Sequence, residues 1–241
     1  MRGLSVRHTR LSTGLVKQLV FDFSAAQPPT FDNFVSGVNA ELVARLLGIE
    51  SVAPSERLLY IWGEQGSGRT HLLRATATRL THAALRVAYI ACGEPDGLSD
   101  DLLEFDAIVL DDVERLGDRA QVAFFNIYNA FRECNKILVV SGSAPPTRLE
   151  LRADVVTRLA WGLVYEVRSL TDEQKIQALS EHAAARGFAL QPEVAQYLLT
   201  HVRRDMPALI AMLDALDRYS LSAKRAVTMP LVREVLSSLE E

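Results

Sequence analysis

Residues 58–73 read LLYIWGEQGSGRTHLL: an apolar run, a turn holding Gly63, Gly66 and Gly68, and then a segment of helical character that opens at Arg69 and Thr70. A buried strand that feeds a glycine-rich turn and a helix has the layout of a phosphate-binding loop. The glycines let backbone amides wrap an anion, and the helix N-terminus adds favourable partial charge. The pattern expected is G-x-x-x-x-G-K-[ST], and the chain departs from it at one position, with Arg69 where lysine is usual. Lysine carries a compact ammonium, whereas arginine is a longer planar fork that keeps its charge but cannot occupy the same point. Nucleotide binding is therefore expected to survive this exchange better than efficient hydrolysis. Residues 63–71, namely Gly63, Glu64, Gln65, Gly66, Ser67, Gly68, Arg69, Thr70 and His71, form the candidate nucleotide cradle, and Thr70 stands where a hydroxyl would meet Mg²⁺.

Further along, the same alternation repeats. Runs at 58–62, 86–91, 107–110, 137–141 and 164–167 are rich in β-forming residues and are separated by helical segments, which predicts a five-stranded parallel sheet covered on both faces. In the segment 118–134 the apolar residues Val122 and Phe125, with Tyr128 or Asn129 and Phe131 or Arg132, fit helical spacing. Beyond Ser169 only helices are expected. Thr171 and Gln174 form a capping box ahead of Ile176 and Leu179, and Gly187 marks a stop. A second helix opens at Pro192 with Val194, Tyr197, Leu198 and His201 on one face. A third follows Asp205, and a fourth near Thr228 and Pro230 carries Leu231, Val235, Leu236 and Leu239. The organisation read from these patterns is a flexible segment over 1–27, an α/β nucleotide-binding domain over 28–168 and a small all-α lid over 169–241.

The third apolar run ends AIVLDDVERL (107–116). An acid pair at a strand end either caps the next turn or serves phosphoryl chemistry. About forty residues after a phosphate loop, Asp111 is expected to orient Mg²⁺ and Asp112 to act as the catalytic carboxylate.

Bulk properties limit the partners. The chain of 241 residues is 49% hydrophobic, 23% charged and carries a formal charge of -4, which gives no overall electrostatic reason to hold DNA or an anionic membrane. The two cysteines, Cys92 and Cys134, lie far apart and read as packing residues of a reduced, cytoplasmic protein. No apolar run approaches the roughly 18 residues that a membrane span requires, and residues 1–14 lack the apolar stretch of an export signal.

Together, the phosphate loop, VLDDVERL (109–116), VVSGSAPP (139–146), VTRLAWGLVYEV (156–167) and the four-helix tail resemble the AAA+ proteins homologous to the bacterial initiator DnaA. The similarity is greatest to the Hda-like regulators, among which a GxGR[ST]HLL loop is itself typical. The resemblance covers about residues 17–239. It implies an α/β AAA+ P-loop fold with a helical lid, ADP or ATP with Mg²⁺ as ligands, and DnaA as a partner. It makes Arg158 an arginine finger acting in trans on a neighbour's nucleotide, and Ser141 or Ser143 the polar sensor after the fourth strand. Pro207, in RRDMPALIAML (203–213), stands where the resemblance puts a lid arginine, and Arg204, three residues earlier, is the lid residue expected at the nucleotide.

The short stretch KQLVFDF (17–23) alternates like an edge strand, and equally like an extended peptide for a hydrophobic pocket. Beside an Hda-like core it resembles the peptides that bind the replicative β sliding clamp, with Gln18, Leu19, Phe21 and Phe23 as anchors. The resemblance then implies a negative regulator that stimulates hydrolysis of DnaA-bound ATP. An autonomous ATPase, such as a helicase loader, and a non-enzymatic adaptor remain the alternatives. Direct DNA binding is not expected, because the chain stops after the lid without a basic recognition helix. Self-association through AAA+ surfaces is open.

Overall fold

A computed structural model describes residues 28–93 and 98–238. Five strands, β1 (Leu58–Trp62), β2 (Val87–Ala91), β3 (Ala107–Asp111), β4 (Ile137–Gly142) and β5 (Leu163–Glu166), form one parallel sheet in the order β2-β3-β4-β1-β5. The three inner strands are buried almost throughout, and the two edge strands only in part. Strands buried on both faces read as continuous apolar runs, which is why β1, β3 and β4 are so plain in the sequence.

Alternation sorts their side chains between two cores. Leu58, Tyr60, Ile108, Leu110, Leu138 and Val140 pack beneath α3 (Asp118–Glu133) and α4 (Ala153–Trp161). Leu59, Ile61, Val109 and Val139 face the other way, toward α1 (Ala40–Leu47) and α2 (Arg69–His82). The lid, α5 (Asp172–Ala185), α6 (Pro192–His201), α7 (Met206–Ala223) and α8 (Met229–Ser237), has a third core around Leu179, Leu198, Leu213, Leu216 and Leu231.

Most expected boundaries agree with the fold, and α5 opens on the full Thr171–Gln174 capping box. Two expected faces are corrected. In α3 the buried stripe is Gln121, Phe124, Ile127, Tyr128 and Phe131, while Val122 is exposed and Phe125 only partly buried. The adjacent Phe124 and Phe125 allow two phases of the same period. Gln121 disguised the right one: its buried amide donates to the Leu116 carbonyl at 2.9 Å and accepts the Arg152 N–H at 2.9 Å. In α6 the core takes Val194, Ala195, Leu198 and Leu199, whereas His201 lies exposed and stacks on the Tyr197 ring at 3.8 Å.

Register brings the chemistry to one edge. Trp62 pairs with Gly142, Ala91 with Asp111 and Leu110 with Val140. The turn after β1, the acids at the end of β3 and Ser141 of β4 therefore stand side by side at the carboxyl ends of the strands, where open α/β sheets bind ligands.

Candidate nucleotide site and an arginine between aromatic rings

The turn between β1 and α2 is shaped by backbone that favours glycine. Gly68, with φ +103°, caps α2 and lies against Phe34, so that a Cβ there would meet the ring at 2.7 Å. Gly66, with φ +82°, faces open space. Between them Ser67 is buried, and its hydroxyl has no hydrogen-bond partner among the described residues. A buried hydroxyl seldom stays unpaired, and here it lies in a loop whose amides and helix start favour an anion. These features fit a phosphate group. Glu64, Gln65, Gly66 and Thr70 are exposed on the same turn.

His71 does a different job from its neighbours. Its Nε2 pairs with the Thr30 carbonyl at 2.8 Å, and its ring meets Phe34 at a centroid distance of 5.4 Å. It thereby ties the segment 28–34 to the start of α2. Burial pushes its pKa down, against an opposing pull from the Thr30 carbonyl.

At the end of β3, Asp111 is buried and both carboxylate oxygens are held. The Ser141 hydroxyl donates to one at 2.5 Å and the Tyr89 hydroxyl to the other at 2.8 Å. Ser141 also accepts the Asp112 N–H at 2.9 Å, fixing a residue whose φ of +58° is unusual for a side chain with a Cβ. Ser141 is thus committed to the acid pair, and Ser143 lies exposed just past β4. Burial of Tyr89 raises its hydroxyl to about 12, so it stays a donor at neutral pH. Tyr89 carried no motif signal, since it is one of several aromatic strand residues.

Arg69 turns toward the acids. Its guanidinium lies 3.3 Å from Asp112 and 4.0 Å from Glu114, with only 12% of the side chain exposed. Burial raises the Asp112 carboxyl, the neighbouring Asp111 charge adds to this, and Arg69 opposes it. One Arg69 nitrogen and one Glu114 oxygen are buried without hydrogen-bond partners among the described residues. Glu114 stood in the quoted motif, but its spacing from the phosphate loop did not announce the contact. Thr70 and Asp111 are oxygen donors of the kind that a hard cation such as Mg²⁺ takes.

A cavity separates this loop from the lid and is lined by Phe34, Gly66, Gly68, Leu170, Lys175 and Pro207, among others. Pro207 occupies the first turn of α7, whose N-cap Asp205 accepts the Ala208 N–H at 2.9 Å. Arg204 is 65% exposed and engaged with the Leu199 carbonyl and Asp172.

Arg158 sits elsewhere. Helix α4 descends from the carboxyl end of β4 to the start of β5, so its last turn lies toward the sheet edge opposite the phosphate loop. There the Arg158 guanidinium is sandwiched between Phe125, at 4.2 Å from the ring centroid, and the half-exposed Trp161, at 4.3 Å. Its Nε donates to the Asn129 side chain at 3.3 Å. Residues 17–23, with Gln18, Leu19, Phe21 and Phe23, lie outside the described residues. Among the described residues no helix is long and apolar enough to cross a membrane.

A parallel sheet of this order, a phosphate loop after β1, an acid pair after β3 and a helical lid define an AAA+ protein. The description of the bacterial DnaA ATPase domain matches residues 26–166, and that of the Hda lid domain matches residues 172–236. The chain belongs to the DnaA-homologous AAA+ family and carries an Hda-type lid. An uncharacterized protein of Haemophilus influenzae is 35% identical over 229 residues, spanning 92% of this chain and 99% of its own. Among solved structures, domain III of Thermotoga maritima DnaA superposes with a TM-score of 0.67 at 23% identity, covering 86% of this chain and 95% of that one. AMPPCP-bound DnaA from Aquifex aeolicus gives 0.60 at 24% identity, covering 76% and 64%. The Thermotoga maritima RuvB branch-migration motor gives 0.62 at 15%, covering 89% and 72%, and shares the fold.

Proposed function

We propose that this chain is a negative regulator of replication initiation that binds ADP itself and promotes hydrolysis of ATP held by DnaA. The observation that carries the reading is the seat of Arg158. An arginine clamped between two aromatic rings, on the sheet edge away from its own phosphate loop, is pre-organised to meet a phosphate on another subunit. A finger supplied in trans changes hydrolysis by on the order of 10³–10⁵.

The chain's own loop is suited to holding rather than cleaving. The ring of Gly66, Ser67, Gly68 and Thr70 would take the diphosphate, with Mg²⁺ at Thr70 and Asp111. Arg69, meanwhile, is spent on Asp112 and Glu114. DnaA from Aquifex aeolicus is known with AMPPCP bound, which supports an adenine nucleotide here. The peptide 17–23 would recruit the β clamp on DNA through Gln18, Leu19, Phe21 and Phe23, placing regulator and initiator together.

The test is hydrolysis of ATP pre-bound to DnaA, with this protein, ADP and DNA-loaded clamp present. Stimulation by the wild type that is lost in Arg158→Ala and Gln18→Ala supports the reading. The retained Asp111–Asp112 pair favours one alternative, an autonomous ATPase. Turnover by the purified chain alone, without effect on DnaA, would establish that alternative.

A further inference from the structure

Pro207 at the start of α7 offers no charge to the nucleotide, so a lid cation for it is another residue. This inference rests on the nucleotide reading above and asks which residue completes it. Three cations of the lid and its hinge line the cavity over the phosphate loop: Arg168, Lys175 and Arg204.

They differ in burial and in engagement. Arg168 is 66% exposed and its Nε donates to Glu166 at 3.1 Å. Arg204 is 65% exposed and donates to the Leu199 carbonyl at 3.3 Å, with Asp172 at 3.8 Å. Lys175 is the most enclosed of the three, with 14% of its side chain exposed. Its ammonium has one carboxylate neighbour among the described residues, Asp172 at 3.9 Å, beyond hydrogen-bond length. That long contact leaves the ammonium free to take a closer acceptor.

Its placement is also fixed. Lys175 follows directly on the capping box, and its own N–H bonds to the Thr171 carbonyl at 2.9 Å, so the side chain leaves α5 from a defined first turn. Across the cavity stand Gly66, Gly68 and the unpaired Ser67 hydroxyl. An unpaired hydroxyl on the loop and a loosely paired cation on the lid line one cavity.

We propose that Lys175 is the lid cation of this site and binds the diphosphate of the nucleotide. Exchange of the long Asp172 contact for a phosphate oxygen would draw the lid over the loop. Arg204 and Arg168 stay with their protein partners.

The test is calorimetric titration of the full chain with ADP and, separately, with adenosine. Lys175→Met should weaken ADP by about tenfold, the scale of one charge-assisted hydrogen bond, and leave adenosine unchanged. Lys175→Arg should restore ADP binding, and Arg204→Met should leave it near wild type. Equal weakening of ADP and adenosine by Lys175→Met would assign a packing role and overturn the proposal. So would unchanged ADP binding, or a larger loss in Arg204→Met. A wild-type chain that binds neither ligand overturns the nucleotide reading as well, a signature distinct from the other three.

Discussion

Arg69 and Asp112 face each other at 3.3 Å, so the residue in the phosphate-lysine position of the loop is paired with the acid that the sequence pattern offers as the catalytic carboxylate. Each occupies the other at the two places where hydrolysis would need them free. In Arg69→Lys the shorter ammonium would release Asp112, and the chain's own ATP turnover is expected to rise by about tenfold, equivalent to ~1.4 kcal/mol of barrier. Phosphate release under saturating ATP measures this, and unchanged turnover would show that the pair is not what restrains the site.

Ser141 and Tyr89 share the work of holding Asp111, from opposite oxygens. Ser141 is fully buried, and Ser141→Ala leaves a carboxylate oxygen and the Asp112 N–H without their partner, at a cost of about 1–3 kcal/mol. Tyr89 is partly exposed, so water can replace its hydroxyl, and Tyr89→Phe should cost less. Because both act on one carboxylate, the double variant should depart from additivity by at least about 0.5 kcal/mol. Urea unfolding of the four proteins gives the coupling directly.

The sheet was legible because its inner strands are buried on both faces and therefore read as unbroken apolar runs, and the phosphate loop because three glycines mark a backbone that other residues resist. The acid pair was legible by its distance from that loop. The phase of α3 was not, since Phe124 and Phe125 both suit a helix and only the fold reveals that Gln121 lies on the buried side. Contacts such as Tyr89 with Asp111 or Arg158 with Trp161 join residues whose meeting depends on strand register or helix rotation. No local pattern encodes those.

The sandwich around Arg158 gives a third prediction. Trp161 is half exposed, so its removal should cost little stability, yet it holds one face of the guanidinium. A cation–π contact of about 0.5–2 kcal/mol is lost in Trp161→Ala. Stimulation of DnaA-bound ATP hydrolysis should fall by about 2- to 30-fold on that scale, with ADP binding by the chain itself unchanged. Arg158→Lys should also fail, because an ammonium cannot keep the planar stack and the Asn129 contact together. Single-turnover hydrolysis with each variant decides it, and full activity in Trp161→Ala would remove the aromatic clamp from the mechanism.

His71 predicts a pH dependence of stability. Its Nε2 faces a carbonyl, so that nitrogen carries the proton of the neutral ring, and burial sets the folded pKa below the ordinary 6.5. As pH falls, the unfolded chain takes up the proton first. The contribution is therefore whole above pH 6.5, begins to be lost below it, and is fully lost once the pH has passed the folded value. His71→Gln keeps an amide donor for the Thr30 carbonyl but does not titrate, so its stability should change less between pH 7.5 and 5. Urea midpoints of both proteins across that range test this. Parallel curves would mean that His71 does not titrate differently in the two states, whereas convergence at low pH would identify it as the group that loosens the 28–34 segment from the phosphate loop.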